Sequence, residues 1–442
     1  MITLEDLYTA MLRTRKNKRN SADSVEFELH WERNLCQIKR DIDNHTFRPT
    51  AYTFIRRYPK PREVFACCFA LRLLHHYLDI RMRPLIEMEL TTRTYNNREG
   101  YGQYAAVNKV IEDMYDVSHG YTRDAYYIQL DLQGYFPNAR QDYAFSLLEE
   151  LMLRRYHGAD LNEMHYILQV SIFSYPTWHC TRRTPIWQWV DIPKGKSLFE
   201  KPPGIGGAIG HLIWQNTMNY YLNDLDHWAV DECGLHYVRF VDDIVICTDN
   251  KEVVLSMLPE FRRRLALVGC VMHPHKFYCQ HWSKGITFLG VHIKIDRIYV
   301  DDRTLRRARH MLSTFSSCCR QDKIDSFIAS MNSYLGLLKG RNEYNNIMRL
   351  IEAIPEKWLK YVRFVSERLC INARDGYHHL EVLARRYHLS DRWLVKSKKE
   401  QKRIIDAERT VNHKSTGRHG RLFVHGRDDN SMCMPVRHRA TW

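Results

Sequence analysis

The run Arg239-Phe240-Val241-Asp242-Asp243-Ile244-Val245-Ile246 decides how this chain is read. Apolar residues flank two adjacent acids, so the segment is predicted to form two short strands joined by a tight turn carrying Asp242 and Asp243. Adjacent like charges on a hydrophobic hairpin repel each other and resist burial, and a bound divalent cation is the usual compensation. A plain turn is the other reading, since Asp side chains suit turns without any ligand. Asp131 repeats the theme, because it ends the apolar run Tyr126 to Leu130 and points one carboxylate out of a second β edge.

Composition narrows the partners. At 442 residues the chain is long enough for two or three sub-domains with a substantial core. Its formal charge of +15, with 10 Trp and 26 Tyr, points to a polyanion with bases to stack on. More than half of that charge lies in the final segment: residues 374 to 442 carry 16 Lys and Arg against 8 Asp and Glu. Gly417, Gly420 and Gly426 interrupt this tail, which is expected to order only against something negatively charged. The 12 cysteines form no C-x-x-C pair, and no signal peptide or stretch of ~18 apolar residues appears. A reducing cytoplasm and no membrane are the expectation. His273, His275, Cys279 and His281 are zinc-capable, but their spacing alternates like strand and turn rather than forming a two-part knuckle.

Periodicity places the rest. Leu4, Leu7 and Met11 recur as on a helix, as do the apolar residues from Phe27 to Ile42, while Phe47 to Ile55 reads as strand. Leu71 to Arg83 is predicted as a strong helix that Pro84 should end or kink. Helices are also expected at Asp142 to Tyr156 and Leu161 to Ser174, followed by a Trp-rich and Pro-rich insertion from Pro176 to Pro203. Beyond about residue 303 the pattern reads as helical throughout.

Phosphoryl-transfer polymerases use two Mg²⁺ ions ~4 Å apart, bridged by carboxylates from separate strands, and three acids on two neighbouring strands suit that task. The order of motifs sharpens this. Leu130-Asp131-Leu132-Gln133-Gly134-Tyr135-Phe136-Pro137, then Gly206-Gly207-Ala208-Ile209-Gly210-His211-Leu212-Ile213-Trp214-Gln215, then Arg239 to Asp243 resemble the palm motifs of reverse transcriptases in their proper sequence. Downstream, His273-Pro274-His275-Lys276 and Phe288-Leu289-Gly290 resemble the motif with the positioned lysine and the primer-grip hairpin. Upstream, Lys60-Pro61-Arg62, Arg72 and Arg98 to Gly102 resemble the fingers, and Asn332 to Lys339 a thumb segment. In style the chain is similar to group II intron-like bacterial enzymes, especially those of diversity-generating retroelements and the defence-associated "unknown group".

The resemblance implies roles. Asp131, Asp242 and Asp243 would be the catalytic metal ligands for two Mg²⁺ ions, with Mn²⁺ as an alternative, and the Leu132 carbonyl a further ligand. Lys276 would protonate the leaving pyrophosphate. Lys60, Arg62 and Arg72 would meet the triphosphate, where charge builds as pyrophosphate leaves. Phe136 would be the steric gate against a 2′-hydroxyl, and Gln215 would help hold the nucleotide. Gly210, Trp214, Phe288, Leu289 and Gly290 would approach template and primer. The chain departs from the pattern at Phe240, where Tyr is usual, and at Ala208, His211 and Trp214, where Pro, Asn and Ser are common. A bulky Trp214 either packs into the palm or restricts the accepted template or nucleotide, and restriction is the favoured expectation.

The fold class expected is α+β, a right-hand polymerase: fingers at 1–120, a palm with an antiparallel sheet at 121–295, a helical thumb at 296–356 and a basic C-terminal extension at 357–442. The expected function is RNA-directed DNA synthesis from dNTPs on a structured non-coding RNA template, in antiphage defence. Alternatives are a diversity-generating retroelement enzyme and a non-catalytic RNA-binding scaffold. A protein subunit or a second copy of the chain is a further candidate partner for the extension.

Overall fold

The computed structural model describes residues 1–16, 21–56, 61–178, 180–317, 319 and 323–373. Lys60 and the basic tail 374–442 lie outside the described residues. The chain divides into two compact units, Met1–His310 with Leu337–Leu350, and Met311–Gly336 with Ile351–Trp442.

The first unit opens with α1 (Leu4–Arg15), α2 (Ala22–Leu29) and α3 (Trp31–Asp43). α1 begins in a capping box, in which Thr3 Oγ1 accepts from the Asp6 N–H at 3.1 Å and the Asp6 carboxylate accepts from the Thr3 N–H. A hairpin follows, β1 (Ala51–Arg56) and β2 (Arg62–Cys67), then α4 (Phe69–Glu89) and α5 (Gln103–Val117). The strand β3 (Tyr126–Leu132) leads to α6 (Gln141–Arg155) and α7 (Leu161–Ile172). The insertion that follows contributes a short strand, β4 (Cys180–Arg182), which pairs in parallel with β1.

α4 is the spine of this unit, and it packs against α1, α6 and α7. Leu71, Leu74, Tyr77, Leu78 and Met82 are buried along it. Of the two outcomes expected at Pro84, α4 does not end there but runs on through it to Glu89. A proline inside a helix costs about 3 kcal/mol. Leu85 and Ile86, buried immediately beyond it, each return roughly 1.5–3 kcal/mol on leaving water, which offsets that cost.

After α8 (Leu212–Tyr220) and α9 (Asn223–His227) come β5 (His236–Phe240), β6 (Asp243–Thr248), α10 (Lys251–Leu267) and β7 (Met272–His281). These strands join β3 in a four-stranded antiparallel sheet of order β5-β6-β3-β7. Tyr127, Ile128, Leu130, Ile244, Val245 and Ile246 are buried on its two faces, which is why the strands read as near-continuous apolar runs. Three short strands, β8 (Ile286–Phe288), β9 (Val291–Ile293) and β10 (Ile298–Val300), form a separate meander.

The remaining elements are α11 (Asp302–Ser317), α12 (Ile324–Leu338), α13 (Tyr344–Glu352), α14 (Glu356–Leu359), β11 (Val362–Val365) and β12 (Cys370–Ala373). In the second unit Phe327 stacks on Trp358 at 4.4 Å between ring centroids, both fully buried. The purely helical pattern expected past residue 303 is corrected by the β11–β12 hairpin. Burial of Ile371 and Ala373 in alternation with Cys370 and Asn372 is a strand period too short to read from sequence alone. Asn332, in the thumb-like segment, clamps this hairpin: its amide donates to Ile371 O at 2.8 Å and accepts from Ile371 N–H at 2.7 Å.

Candidate active site

The three acids singled out in the sequence meet at one end of the four-stranded sheet. β3 and β6 pair with Asp131 directly opposite Asp243, so these two carboxylates leave the same face. β5 and β6 close through the Phe240–Asp243 pair, which leaves Val241 and Asp242 as a two-residue turn. The Leu132 N–H donates to Asp242 O at 3.2 Å and so ties that turn to the end of β3. Burial pushes the Asp242 carboxyl above the usual carboxylate range, and the neighbouring Asp131 charge adds to the shift. Asp131 Oδ1 is buried without a hydrogen-bond partner among the described residues.

An unpaired buried carboxylate oxygen facing a second, charge-stressed carboxylate fits a divalent cation held between them. Hard carboxylate oxygens are the donors that Mg²⁺ and Mn²⁺ prefer. Asp131, Asp242 and Asp243 would be the side chains to hold it.

The turn itself is strained. Val241 has φ +59°, a conformation that a β-branched residue rarely adopts. Its N–H donates to Asn96 Oδ1 at 3.0 Å, and its carbonyl accepts from Arg239 Nη1 at 3.2 Å. Arg239 is in turn held by Asp226, with Nε donating to Oδ1 at 2.8 Å. Tyr237 and Thr94 donate to the same carboxylate at 2.8 and 3.0 Å. Asn96 and Asp226 were not singled out in the sequence, and Arg239 was read only as part of the hairpin run. Nothing in their spacing marks them, because they are brought together by tertiary pairing rather than by a local motif.

The lysine arrives by a bulge. β7 pairs Met272 with Leu132 and Phe277 with Leu130, so His273 to Lys276 lie as extra residues opposite Asp131 alone. Pro274, which cannot donate to a ladder, sits within that interruption. The bulge brings Lys276 Nζ to 2.6 Å from Asp131 Oδ2, where it is a monovalent counter-charge to the carboxylate.

Of the fingers cations, Arg62 at the start of β2 lies close enough to Asp242 to favour its ionised form. Arg72 is committed elsewhere: its guanidinium pairs with Asp23 and donates to Cys67 O at 3.1 Å. Phe136 is half-buried, edge-on to Tyr135 at 6.0 Å. Its carbonyl accepts from Gly207 N–H at 2.8 Å, which joins the segment after β3 to the glycine-rich loop before α8.

On that loop Gly210 has φ +109°, and a Cβ there would lie 2.3 Å from Phe65 O. Only glycine lets the loop approach β2 so closely. Trp214 corrects the expectation of a template-facing gate. It is only 1 % exposed and lies beneath Gly207, where a Cβ would come 2.6 Å from its ring. Gln215, one residue on, is exposed. The Phe288-Leu289-Gly290 segment forms the β8–β9 turn, with Phe288 buried and positive φ at both Leu289 and Gly290. Two such residues make the tight hairpin that matches strand twist. His273, His275, Cys279 and His281 do not converge on one point among the described residues, in line with the strand reading of that stretch.

An antiparallel sheet presenting acids at a hairpin turn and an adjacent strand is the palm of a nucleotide polymerase. Residues 59–293 match the reverse transcriptase (RNA-dependent DNA polymerase) family, and the chain belongs to it. Its α+β fold is of the right-hand polymerase class. No curated protein matches the sequence. Among solved structures the chain is similar to the truncated apo telomerase of Candida tropicalis, at 13 % identity and TM-score 0.40, over 57 % of this chain and 55 % of that one. It is also similar to the Candida albicans telomerase in complex with a TWJ fragment of telomeric RNA, at 10 % identity and TM-score 0.41, over 72 % of this chain and 56 % of that one. The matches thus span little more than half the length of those solved chains. No described helix is long and apolar enough to cross a membrane.

Proposed function

We propose that the protein is an RNA-directed DNA polymerase that makes cDNA from a cognate structured non-coding RNA by two-metal nucleotidyl transfer, in antiphage defence. The observation that carries the chemistry is the Asp131–Asp242–Asp243 cluster, with an unpartnered Asp131 oxygen and a carboxyl on Asp242 that burial destabilises as an anion. Divalent ions bound there, Mg²⁺ or Mn²⁺, would neutralise charge on the primer hydroxyl and the triphosphate.

The chain's own residues do the rest. Asp131 on β3 and Asp242 in the β5–β6 turn would hold the ions, with Asp243 set directly opposite Asp131 by the strand register. Arg62, whose charge acts on Asp242, would meet the triphosphate, with Lys60 beside it, while Arg72 would do so only on leaving Asp23. Lys276, already on Asp131, is within reach of the leaving pyrophosphate to donate a proton. Phe136 excludes the 2′-hydroxyl, Gln215 and the Leu132 carbonyl border the nucleotide, and Gly210 and the Phe288–Gly290 turn face template and primer. Fingers, palm and thumb occupy about 1–120, 121–295 and 296–356. The basic extension grips the RNA.

The test is incorporation of labelled dNTPs by the purified chain on its copurifying RNA, followed by sequencing of the product. Complementary DNA made only with a divalent ion is the expected result. No incorporation on any RNA template would overturn the reading.

A further inference from the structure

A second cluster of chemistry-bearing side chains lies apart from the carboxylates. Cys67 ends β2, His75 is on α4, and His211 stands at the head of α8, directly after Gly210. A sulfur and two ring nitrogens from these residues lie within 4.8 Å of one another. Cys67 Sγ is 3.7 Å from His75 Nδ1, and the two imidazole centroids are 5.3 Å apart. All three residues are buried, at 3 %, 0 % and 1 % exposure.

Buried polar atoms are ordinarily hydrogen-bonded. Here His75 Nε2 and both nitrogens of His211 have no partner among the described residues. Leu71, Leu74 and Phe65 are buried on the same two elements, so these imidazoles sit in a core that offers hydrocarbon rather than acceptors. A histidine at position 211 is also one of the chain's departures from the usual palm motif. A thiol bonded to one imidazole whose other nitrogen is unsatisfied, with a second imidazole wholly unsatisfied beside them, drawn from three separate elements, makes a costly arrangement for an apolar core and an apt one for an ion.

We propose that Cys67, His75 and His211 bind one divalent ion of the Zn²⁺ class. One thiolate and two imidazoles are the donor set that selects borderline-soft cations over Mg²⁺. A sulfur-to-nitrogen separation of 3.7 Å matches two neighbouring corners of a tetrahedron with metal–sulfur and metal–nitrogen bonds of about 2.3 and 2.0 Å. On binding, Cys67 gives up its thiol proton to solvent, and the ion takes that place. The fourth corner falls to water, for which His211 lines a cavity of about 340 Å³ together with Phe47, Leu71, Phe173 and Trp178. The ion would clamp the loop before α8 onto β2, reinforcing the Phe65 N–H that donates to Ile209 O at 2.8 Å. The palm carboxylates, hard oxygen donors, and this site would therefore hold different metals at once.

The experiment uses the full chain, stripped with a chelator and titrated with Co²⁺ and then Zn²⁺. One Co²⁺ per chain is expected, with tetrahedral ligand-field bands and a thiolate-to-cobalt charge-transfer band that Zn²⁺ bleaches. Cys67→Ser should remove the charge-transfer band, and His211→Asn should weaken Co²⁺ binding by more than about tenfold. Cys279→Ser with His281→Asn should change neither. The wild-type spectrum decides the matter even where a variant fails to fold. Co²⁺ bound without a thiolate band, or a band that survives Cys67→Ser, overturns the proposal.

Discussion

Arg239 and Asp226 form an ion pair in which both side chains are wholly buried, and the same guanidinium holds the carbonyl of Val241 in the turn that carries Asp242. Two charges withdrawn from water are tolerated here because Tyr237, Thr94 and the Asn219 carbonyl satisfy the remaining donors and acceptors. Asp226→Ala strands the guanidinium in the core. A loss of about 3–5 kcal/mol in denaturant unfolding is expected, together with reduced incorporation by whatever protein remains folded. An unchanged unfolding midpoint would show that the pair is not what supports the turn.

Removing a palm carboxylate should separate chemistry from folding. Asp131→Ala, or Asp242→Ala with Asp243→Ala, is expected to cut dNTP incorporation by at least about a thousandfold, because several kcal/mol of transition-state stabilisation would depend on the ions proposed to bind there. Circular dichroism and RNA affinity should stay close to wild type. Full incorporation by the double variant would remove these residues from the reaction.

The raised carboxyl of Asp242 makes a pH prediction with a definite sign. The unfolded chain releases this proton first, so the folded chain loses stability as pH rises through the shifted value, and the penalty is absent in acid below the carboxylate range. Without metal, Asp242→Asn should therefore raise the melting temperature at neutral pH by a few degrees and leave it unchanged in acid. Equal melting temperatures at neutral pH would mean that the charge is already compensated in the metal-free protein.

Sugar selection should follow sterics. Phe136→Ala opens space at the half-buried edge beside Tyr135, and the ratio of ribonucleotide to deoxynucleotide incorporation is expected to rise by at least about tenfold, some 1.4 kcal/mol of lost discrimination. If the ratio holds, Phe136 is a packing residue and the gate is elsewhere.

The tail is tested by salt. Deleting residues 397–442 should weaken RNA binding, and each phosphate that the shortened chain leaves unneutralised should flatten the plot of log affinity against log salt by roughly 0.7 to 0.9. Incorporation with excess RNA should stay near wild type. An unaltered slope would assign the tail to a protein partner.

What was legible in the sequence was what local pattern encodes. β3 spans Tyr126 to Leu132 as read, since a run of bulky apolar residues buried on both faces has no competing period. The acids of the hairpin were legible because two charges among hydrophobics are conspicuous anywhere. Illegible features depended on partners distant in the chain. Between packing and gating for Trp214 the motif alone could not choose; its seat beneath Gly207 marks it as core. Glu63 drew no notice in the sequence, yet it is buried by the insertion, accepting from Trp189 Nε1 at 2.7 Å and from Leu198 N–H at 2.7 Å. The length of α4 past Pro84 was hidden for the same reason, since the compensating burial is tertiary.

The two-residue turn between β5 and β6, which sets Asp243 opposite Asp131 on β3, has a consequence for the number of residues this hairpin can carry. Side chains alternate faces along a strand, so one residue added to or lost from the 241–242 turn would shift β6 against β5 and, with β5 kept in place, turn Asp243 to the face away from Asp131. The hydrophobic strands could still pair after such a slip. A change of residue identity in this turn is thus easier to accommodate than a change of residue number. The hairpin counts as well as folds, and an insertion of one codon would leave an assembled protein with its acids facing away from each other.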